Sequence, residues 1–238
     1  MKTGITINEK PVEVPSSFDE LTFGQFLRLK ESNMDAETMS ILTGIELEVC
    51  HGISPELMNV ILAPASDLGE VVYLDKPTVL GKPVPDNLGK MEYARKVNCD
   101  NLSRNYKDEE MVGRMVAIYM AEGIEDEDIE ATYNLILNES FTNVVSAGKM
   151  ISEQLVKMSE SEAKIPSPQY ESAELQAGIK NFSKYGVWGV VRGIALRHGC
   201  KMEDVYSWSY NTVLLELKYS AEENSFQRRL NRIMNKPK

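Results

Sequence analysis

Apolar side chains recur at helical spacing along most of this chain, and that period constrains the fold more than any single motif does. One stripe joins Met111, Met115, Ile118 and Tyr119. Residues three and four positions apart share one face of an α-helix, so each such stripe predicts a helix with one apolar side. The pattern as a whole predicts roughly eight helical segments.

A shorter period at the N-terminus predicts a small β-hairpin. Ile5 and Ile7 alternate with polar residues, Val12 and Val14 do the same, and residues 8–10 can form the turn between them. The predicted fold class is therefore mainly α with a small N-terminal β-hairpin (α+β), built from many helices and ending in a helical C-terminal region.

Two helix starts carry capping signals. Asp19 or Thr22 precedes the first apolar pattern, and either side chain can accept a hydrogen bond from the first helical turn. Ser54 followed by Pro55 is a stronger signal, because serine is a good N-cap and proline fits the first helical position. Both patterns predict helices that begin directly after the capping residue.

Changes in composition set the predicted domain boundaries. Residues 76–90 are rich in Pro and Gly and predict loop or short extended structure, while residues 161–172 combine Ser and Glu with two prolines and predict a linker. No internal repeat of fixed period is evident. The predicted segments are an N-terminal hairpin with helices over 1–75, a central helical region over 76–160, the linker over 161–172 and a C-terminal helical region over 173–238.

The charge of the chain argues against nucleic-acid binding. Its 238 residues carry a net charge of −10. The segment from Ser207 onward has six Lys or Arg and three Glu, so it is +3 and leaves −13 for the rest. Non-specific nucleic-acid binding needs positive charge against phosphate, so an acidic body disfavours it.

Composition also predicts a cytosolic protein without a membrane segment. The chain has three cysteines far apart in sequence, which predict no disulfide framework and favour a reducing compartment. The N-terminus has no apolar signal segment, and no apolar run approaches the length that spans a bilayer. A fraction of 42% hydrophobic residues is enough for a packed core and argues against wholesale disorder.

Two glycine patterns fail as nucleotide-binding motifs. Gly148 and Lys149 are followed by methionine, where a phosphate-binding loop needs Ser or Thr. Gly186, Gly189 and Gly193 have the wrong spacing for a dinucleotide fingerprint and lie in a helical pattern. They predict instead a glycine-lined helix face that lets another backbone approach closely, or a kink.

The two histidines each lie near a cysteine, but the spacing does not suit a structural metal site. Cys50 adjoins His51, and His198 is two residues from Cys200. Structural zinc sites take ligands at spacings that wrap the ion, which adjacent residues do not provide. A nucleophilic pair of Cys50 and His198 stays open, since it requires only that the fold bring them together. Hydrolysis by paired carboxylates also stays open, because sequence does not fix their separation. The overall prediction is no catalytic residue, no metal and no cofactor.

The C-terminal segment carries the candidate partner-binding surface. Val213 and Leu217 share one helix face, and apolar residues repeat at helical spacing again from Phe226 to Met234. Such a stripe packs on its own chain or on a partner, and the first is the commoner case. The candidate partner-binding residues are Trp208, Tyr210, Leu214, Phe226, Arg228, Arg229, Leu230, Arg232 and Ile233.

Three stretches resemble proteins from the tail gene modules of tailed bacteriophages. The first is "ITINEKPVEVPSSFDELTFGQFLRLKES" followed by "SILTGI", which is similar to the N-terminus of such proteins. The second is "YGVWGVVRGIALRHGCKMEDVYSWSYNTVLLELKYSAEENSFQRRL", which resembles the tail assembly chaperone type. The third is "MVAIYMAEGIEDEDIEATYNLILNESFTNVVSAGKMISEQL". The resemblance covers most of the chain except residues 76–100.

The resemblance implies a non-enzymatic role in the host bacterial cytoplasm. Tail assembly chaperones bind the tape measure protein, a very long helical protein, keep it soluble and recruit tail tube subunits. The expected partners are thus the tape measure or other tail proteins, with no nucleic acid and no membrane, and a homo-oligomer is compatible with this role. The alternative is a structural virion component, such as a baseplate, neck or packaged protein, that is retained in the mature particle.

Overall fold

The chain folds into a mainly helical structure, as the periodicity predicts. A computed structural model describes residues 3–7, 10–32, 35–65, 68–102, 105–168 and 170–234, with side chains from Val12 onward. Twelve α-helices and four short strands occur within these ranges. The strands form two separate antiparallel hairpins, β1–β2 and β3–β4.

The strands and helices are numbered in the order in which they occur along the chain. The strands are β1 (Thr3–Ile7), β2 (Lys10–Val14), β3 (Thr78–Val79) and β4 (Lys82–Pro83). The helices are α1 (Phe23–Glu31), α2 (Asp35–Thr43), α3 (Leu47–His51), α4 (Pro55–Leu62), α5 (Tyr93–Leu102), α6 (Asp108–Met120), α7 (Asp126–Ile136), α8 (Phe141–Ala163), α9 (Ser172–Gln176), α10 (Gly186–His198), α11 (Met202–Tyr206) and α12 (Tyr210–Met234).

Contacts divide the chain into two compact units. Unit 1 comprises residues 1–85 and 102–151, and unit 2 comprises residues 86–101 and 152–238. These units cut across the segments predicted from the sequence. Residues 161–172 lie within unit 2, and α8 extends to Ala163, so the irregular stretch begins only after that residue.

The predicted N-terminal hairpin is present. Ile5 pairs with Val12 and Thr3 with Val14 in an antiparallel register. Lys10, which was predicted to lie in the turn, is instead the first residue of β2 and pairs with Ile7. The remainder of the predicted turn, residues 8–9, lies outside the described residues.

Capping residues start α1 and α4 as the sequence predicts. The Gln25 N–H donates to Thr22 Oγ1 at 3.1 Å, and the Thr22 N–H donates to Gln25 Oε1 at 2.9 Å. This reciprocal capping box shows that Thr22 and not Asp19 caps the first helix. Ser54 Oγ accepts a hydrogen bond from the Leu57 N–H at 3.4 Å at the start of α4.

A tight hairpin occupies the Pro- and Gly-rich stretch, which confirms the prediction of short extended structure there. Leu80 and Gly81, the two central residues of its turn, have φ values of +54° and +69°. Positive φ at both positions is typical of a two-residue hairpin turn, and glycine adopts it without strain. Val79 beside the turn is completely buried.

An apolar cluster joins the hairpin of unit 1 to its first helices. It lies between β2 and helices α2, α3 and α4, and half-buried Ile45, Ile53, Leu62 and Ala65 surround it. Its buried members are Val14, Ala36, Met39, Cys50, Met58 and Ile61. Full burial of an aliphatic side chain contributes about 1.5–3 kcal/mol, so this cluster is the main stabilising element of the N-terminal part.

The starts of α1 and α8 are held together by two backbone hydrogen bonds. The Phe23 N–H donates to the Glu139 carbonyl at 2.9 Å, and the Phe141 N–H donates to the Leu21 carbonyl at 2.9 Å. The rings of Phe23 and Phe141 stack with centroids 6.4 Å apart and planes 15° apart. We call this pairing of two helix starts, with its aromatic pair, the clasp of unit 1.

Unit 2 contains the same arrangement at the starts of α5 and α12. The Tyr93 N–H donates to the Trp208 carbonyl at 2.7 Å, and the Tyr210 N–H donates to the Met91 carbonyl at 2.9 Å. The two tyrosine rings stack with centroids 6.5 Å apart and planes 24° apart. We call this the clasp of unit 2.

The two clasps form a repeat that the sequence did not reveal. The bridging residues are Thr22 and Ser140 in unit 1 and Glu92 and Ser209 in unit 2. Along the chain, 70 positions separate Thr22 from Glu92, and 69 separate Ser140 from Ser209. In both units a 3-10 turn, Phe18–Glu20 or Leu88–Lys90, precedes the first bridging residue. The arrangement is therefore duplicated at an almost constant spacing.

Candidate functional site

The two units differ strongly in charge. Unit 1 contains 10 Lys and Arg against 23 Asp and Glu, a net charge of −13. Unit 2 contains 16 Lys and Arg against 13 Asp and Glu, a net charge of +3. The candidate partner-binding residues all lie in unit 2, whose net charge is opposite in sign to that of unit 1.

The inner side of α12 packs on its own unit. Tyr210 and Val213 are buried, and Leu217 on the same side is half-buried. The Tyr210 hydroxyl donates to the Met158 carbonyl at 3.0 Å, and burial raises the pKa of its phenol. Tyr210 was predicted to bind a partner; its aromatic ring belongs to the clasp and the residue is 2% exposed. Its role in partner binding stays a prediction.

Trp208 and Leu214 are half-buried and also contribute to the fold of unit 2. The Trp208 ring meets the His198 ring edge-on, with centroids 5.2 Å apart. His198 Nε2 lies 3.1 Å from Glu216 Oε2, and Arg197 Nη1 lies 3.2 Å from the same oxygen. These contacts, chiefly the hydrogen bond from His198, lower the pKa of Glu216 and connect α10 to α12.

The outer side of α12 carries an apolar stripe, which the exposed Glu222 and Glu223 interrupt near its middle. Three predicted partner-binding residues lie on it: Phe226 is 52%, Leu230 36% and Ile233 68% exposed. Leu215 and Tyr219, which the sequence analysis did not select, extend the stripe toward the start of the helix and are 66% and 56% exposed. Their spacing of four residues from each other, and of seven from Tyr219 to Phe226, was the available signal.

The three predicted arginines lie beside this stripe on the last turns of α12. Arg228 is half-buried, and its Nη2 lies 3.9 Å from Glu174 Oε2 of α9. Arg229 and Arg232 are exposed. All three arginines line a groove of about 310 Å³, together with Ile165 and Pro168 of the preceding irregular stretch. The groove therefore presents positive charge above an apolar floor.

A second surface, missed by the sequence analysis, is a strip of aromatic residues leading into α10. The rings of Phe182 and Tyr185 have centroids 6.3 Å apart, and those of Tyr185 and Trp188 are 5.7 Å apart. Lys184 Nζ lies 5.1 Å from the Tyr185 ring, and the Arg192 guanidinium lies 5.7 Å from the Trp188 ring. Spacing of three residues between the rings in a chain segment without acids was the signal for this strip.

Cys50 and His198, which were considered for catalysis or metal binding, both lie among contacts that stabilise the fold. Cys50 is buried in the apolar cluster of unit 1, and burial raises the pKa of its thiol. His198 of unit 2 is engaged by Glu216 and Trp208. Across the described residues, no group of three or more His, Cys, Asp or Glu side chains is arranged to hold a metal ion.

Comparison of the chain with protein-family models, with curated proteins and with solved structures yields no match. The resemblance to tail assembly chaperones accordingly stays a prediction from the sequence. Among the helices in the described ranges, none combines the length and the apolar character needed to cross a membrane.

Proposed function

We propose that the protein is a non-enzymatic phage tail assembly protein that binds a long helical client, the tape measure, along the outer side of α12. The observation that carries this proposal is the outer stripe, which runs from Leu215 to Ile233 on the side opposite the buried Tyr210 and Val213. At a rise of 1.5 Å per residue, the stripe is about 27 Å long.

The spacing of the stripe fits a helix better than an extended peptide. Its members follow one another at intervals of four, seven, four and three residues, close to the repeat of a coiled-coil seam. A client helix with its own apolar stripe can lie alongside and bury both faces, which is the helix-in-groove mode of recognition. The stripe thus suits a client that is helical over several turns.

An apolar stripe of this length is costly to leave in water. Contiguous exposed apolar patches on soluble proteins usually mark interaction sites. The strongly acidic unit 1 makes copies of the chain repel one another, which keeps the protein dispersed before the stripe binds its client. Solubility and an open apolar face are combined in one chain, as expected of a chaperone that keeps an aggregation-prone partner soluble.

The proposal is tested by capture of the tape measure from lysate of infected cells. The wild-type chain is expected to recover it, and a Phe226→Glu, Ile233→Glu variant is expected to lose it, because two charges interrupt the stripe. A Gln227→Glu, Asn231→Glu variant adds the same charge to exposed positions of α12 outside the stripe and is the matched control. Equal recovery by all three proteins contradicts the proposal.

Mass spectrometry of purified particles separates the chaperone from a structural component. A chaperone is expected to be missing from mature particles. Presence at fixed copy number in the particle would make the protein a baseplate, neck or packaged component, and the chaperone function would be wrong even if the stripe binds a tail protein.

A further inference from the structure

Helix α10 has a second face that is left without cover among the described residues. Leu196 is 68% exposed and Trp188 is 48% exposed on this side. Gly193 lies between them, and a Cβ placed on it meets no other atom within 4 Å. The face therefore offers an aromatic ring, an aliphatic side chain and a bare stretch of backbone to any helix that approaches.

The opposite side of α10 is packed against unit 2. Val191, Ile194 and Ala195 are buried there. The helix is consequently apolar on both sides and interrupted only by Arg192 and by the charged residues at its end. A helix that is apolar all round is normally enclosed by other elements, so the outer face needs a partner to cover it.

Charge determines which kind of partner can cover this face. No Asp or Glu occurs between Glu174 and Glu203, and five basic residues lie in that interval. They are Lys180, Lys184, Arg192, Arg197 and Lys201. Two such faces from two copies would repel each other, which argues against a symmetric contact of α10 with itself. The matching surface must instead be acidic.

The same chain contains an acidic helix of the required kind in unit 1. Residues 115–148 include no Lys or Arg but seven acids, most of them in or directly before α7. The outer side of α7 exposes Glu127, Ala131 and Leu135, while Ile129 and Ile136 on its inner side are buried. Carboxylates thus lie beside a small apolar patch, which complements Arg192 beside the apolar face of α10.

We propose that the outer face of α10 in one copy of the chain docks on the outer side of α7 in a second copy. The glycine lets the two helix backbones come close, as small residues do at other helix crossings. The two surfaces are different, so the contact either closes as a reciprocal dimer, with α10 of each copy on α7 of the other, or continues from copy to copy into chains or rings.

Analytical ultracentrifugation of the full-length protein tests this contact at low and high salt. We expect an average mass that rises from that of the monomer to that of a dimer or beyond as the concentration rises to roughly 100 µM, as for a contact with a micromolar Kd. Raising the salt from about 0.05 M to about 0.5 M is expected to weaken association at least tenfold, because screening shortens the reach of the charges.

Three variants separate docking from folding. Gly193→Leu is expected to abolish association without lowering the melting temperature, since a Cβ at this position has no atom of another element within 4 Å and leucine favours the helix. Arg192→Glu and Glu127→Lys are each expected to weaken association at least tenfold, whereas an equimolar mixture of the two restores it through the reversed pair. Lys218→Glu and Glu48→Lys change the same charges at exposed positions elsewhere and are expected to leave association unchanged.

Three outcomes would overturn the inference. They are a monomer at every concentration, undiminished association of Gly193→Leu, and a mixture of the charge variants that associates no better than either alone. The contact does not involve the outer stripe of α12. Loss of client binding by the Phe226→Glu, Ile233→Glu variant therefore bears on the proposed function alone, and loss of association by Gly193→Leu bears on this inference alone.

Discussion

Unit 1 and unit 2 form their clasps in the same way, but they differ in the packing of the helix that lies two helices before the second clasp helix, α8 or α12. That helix is α6 in unit 1 and α10 in unit 2, and each spans 13 residues. Each also contains a glycine next to an arginine, Gly113 with Arg114 and Gly193 with Arg192. The two units differ in whether this glycine and arginine are enclosed by other side chains or exposed.

In unit 1 the glycine and the arginine are both enclosed. A Cβ on Gly113 would overlap the Phe23 ring. The Arg114 guanidinium lies 4.1 Å from the Tyr106 ring and 4.2 Å from the Tyr133 ring. Although burial acts to lower the pKa of Arg114, hydrogen bonds to two glutamates raise it, so the charge is retained. This part of α6 is therefore packed into the core of unit 1.

In unit 2 the corresponding groups face outward. Gly193 adjoins open space, and Arg192 lies over Trp188 with no carboxylate within salt-bridge distance among the described residues. The comparison thus shows that the helix is enclosed by its neighbours in unit 1, where it is α6, whereas one of its faces is exposed in unit 2, where it is α10.

Removal of the clasp ring in unit 1 is expected to have the largest effect on stability. Phe141 is 4% exposed, and its ring also lies 4.2 Å from that of Phe26. Phe141→Ala should lower the free energy of unfolding by about 3–5 kcal/mol, because a buried ring leaves a cavity. Urea denaturation followed by circular dichroism measures this change in the free energy of unfolding.

Tyr210→Phe keeps the ring of the other clasp and loses one hydrogen bond, so it should lower the free energy of unfolding by about 1 kcal/mol. Similar losses in both variants would show that the clasp rings do not carry stability.

The glycines of α6 and α10 should respond to alanine with opposite signs. Gly113→Ala is expected to cost about 1–3 kcal/mol, since the added methyl group overlaps a buried ring. Gly193→Ala is expected to add about 0.5–1 kcal/mol, because alanine favours the helix and the space is open. Thermal unfolding of the two variants beside the wild type checks this. A loss of stability in Gly193→Ala would mean that the outer face of α10 is covered within the monomer.

The chemistry of the clasps predicts that unit 2 is the more sensitive to alkali. Burial, with help from nearby Glu162 and Asp100, raises the pKa of Tyr93 to about 12, whereas the clasp of unit 1 has phenylalanine at both positions. An unfolded tyrosine ionises near 10, so the unfolded chain releases its proton first and stability falls as the pH rises from about 10 to about 12. When the pH is raised from 8 to 11, the free energy of unfolding should fall by about 1 kcal/mol less in Tyr93→Phe than in the wild type.

Denaturation at several pH values by circular dichroism measures that difference. Tyr133→Phe is the corresponding test in unit 1, where burial also raises the pKa of the phenol to about 12, and it should reduce the loss of stability by a similar amount. If neither variant changes the slope of stability against pH, tyrosine ionisation does not limit the fold in alkali.

Local patterns in the sequence were sufficient for the elements but not for their assembly. Helical periodicity predicted the fold class, and capping chemistry predicted the starts of α1 and α4, because both depend on residues within one turn of each other. The clasps depend on backbone atoms of segments more than 100 residues apart, which no local pattern encodes. The only available signal was a polar residue followed by an aromatic one, at Thr22, Glu92, Ser140 and Ser209.

The candidate surface was found in part for a related reason. Helix α12 is apolar on two opposite sides, and periodicity shows both stripes without showing which one faces the core. Phe226, Leu230 and Ile233 were therefore selected together with Tyr210, although only the first three are exposed. For α10 the glycine spacing predicted a face open to another backbone or a kink, but Trp188 and Leu196 were not selected, because an apolar helix without acids is typical of a buried one.

The smallest expected effects compare the caps that the bridging residues provide. Thr22 forms a reciprocal box with Gln25, whereas Ser209 Oγ accepts one hydrogen bond, from the Thr212 N–H at 3.2 Å. Thr22→Ala should therefore cost about 1 kcal/mol and Ser209→Ala about 0.5 kcal/mol, measured by urea denaturation. Asp19→Ala, in the preceding 3-10 turn, should be neutral because Thr22 already caps the helix. A cost for Asp19→Ala equal to that for Thr22→Ala would mean that the capping box does not decide where α1 begins.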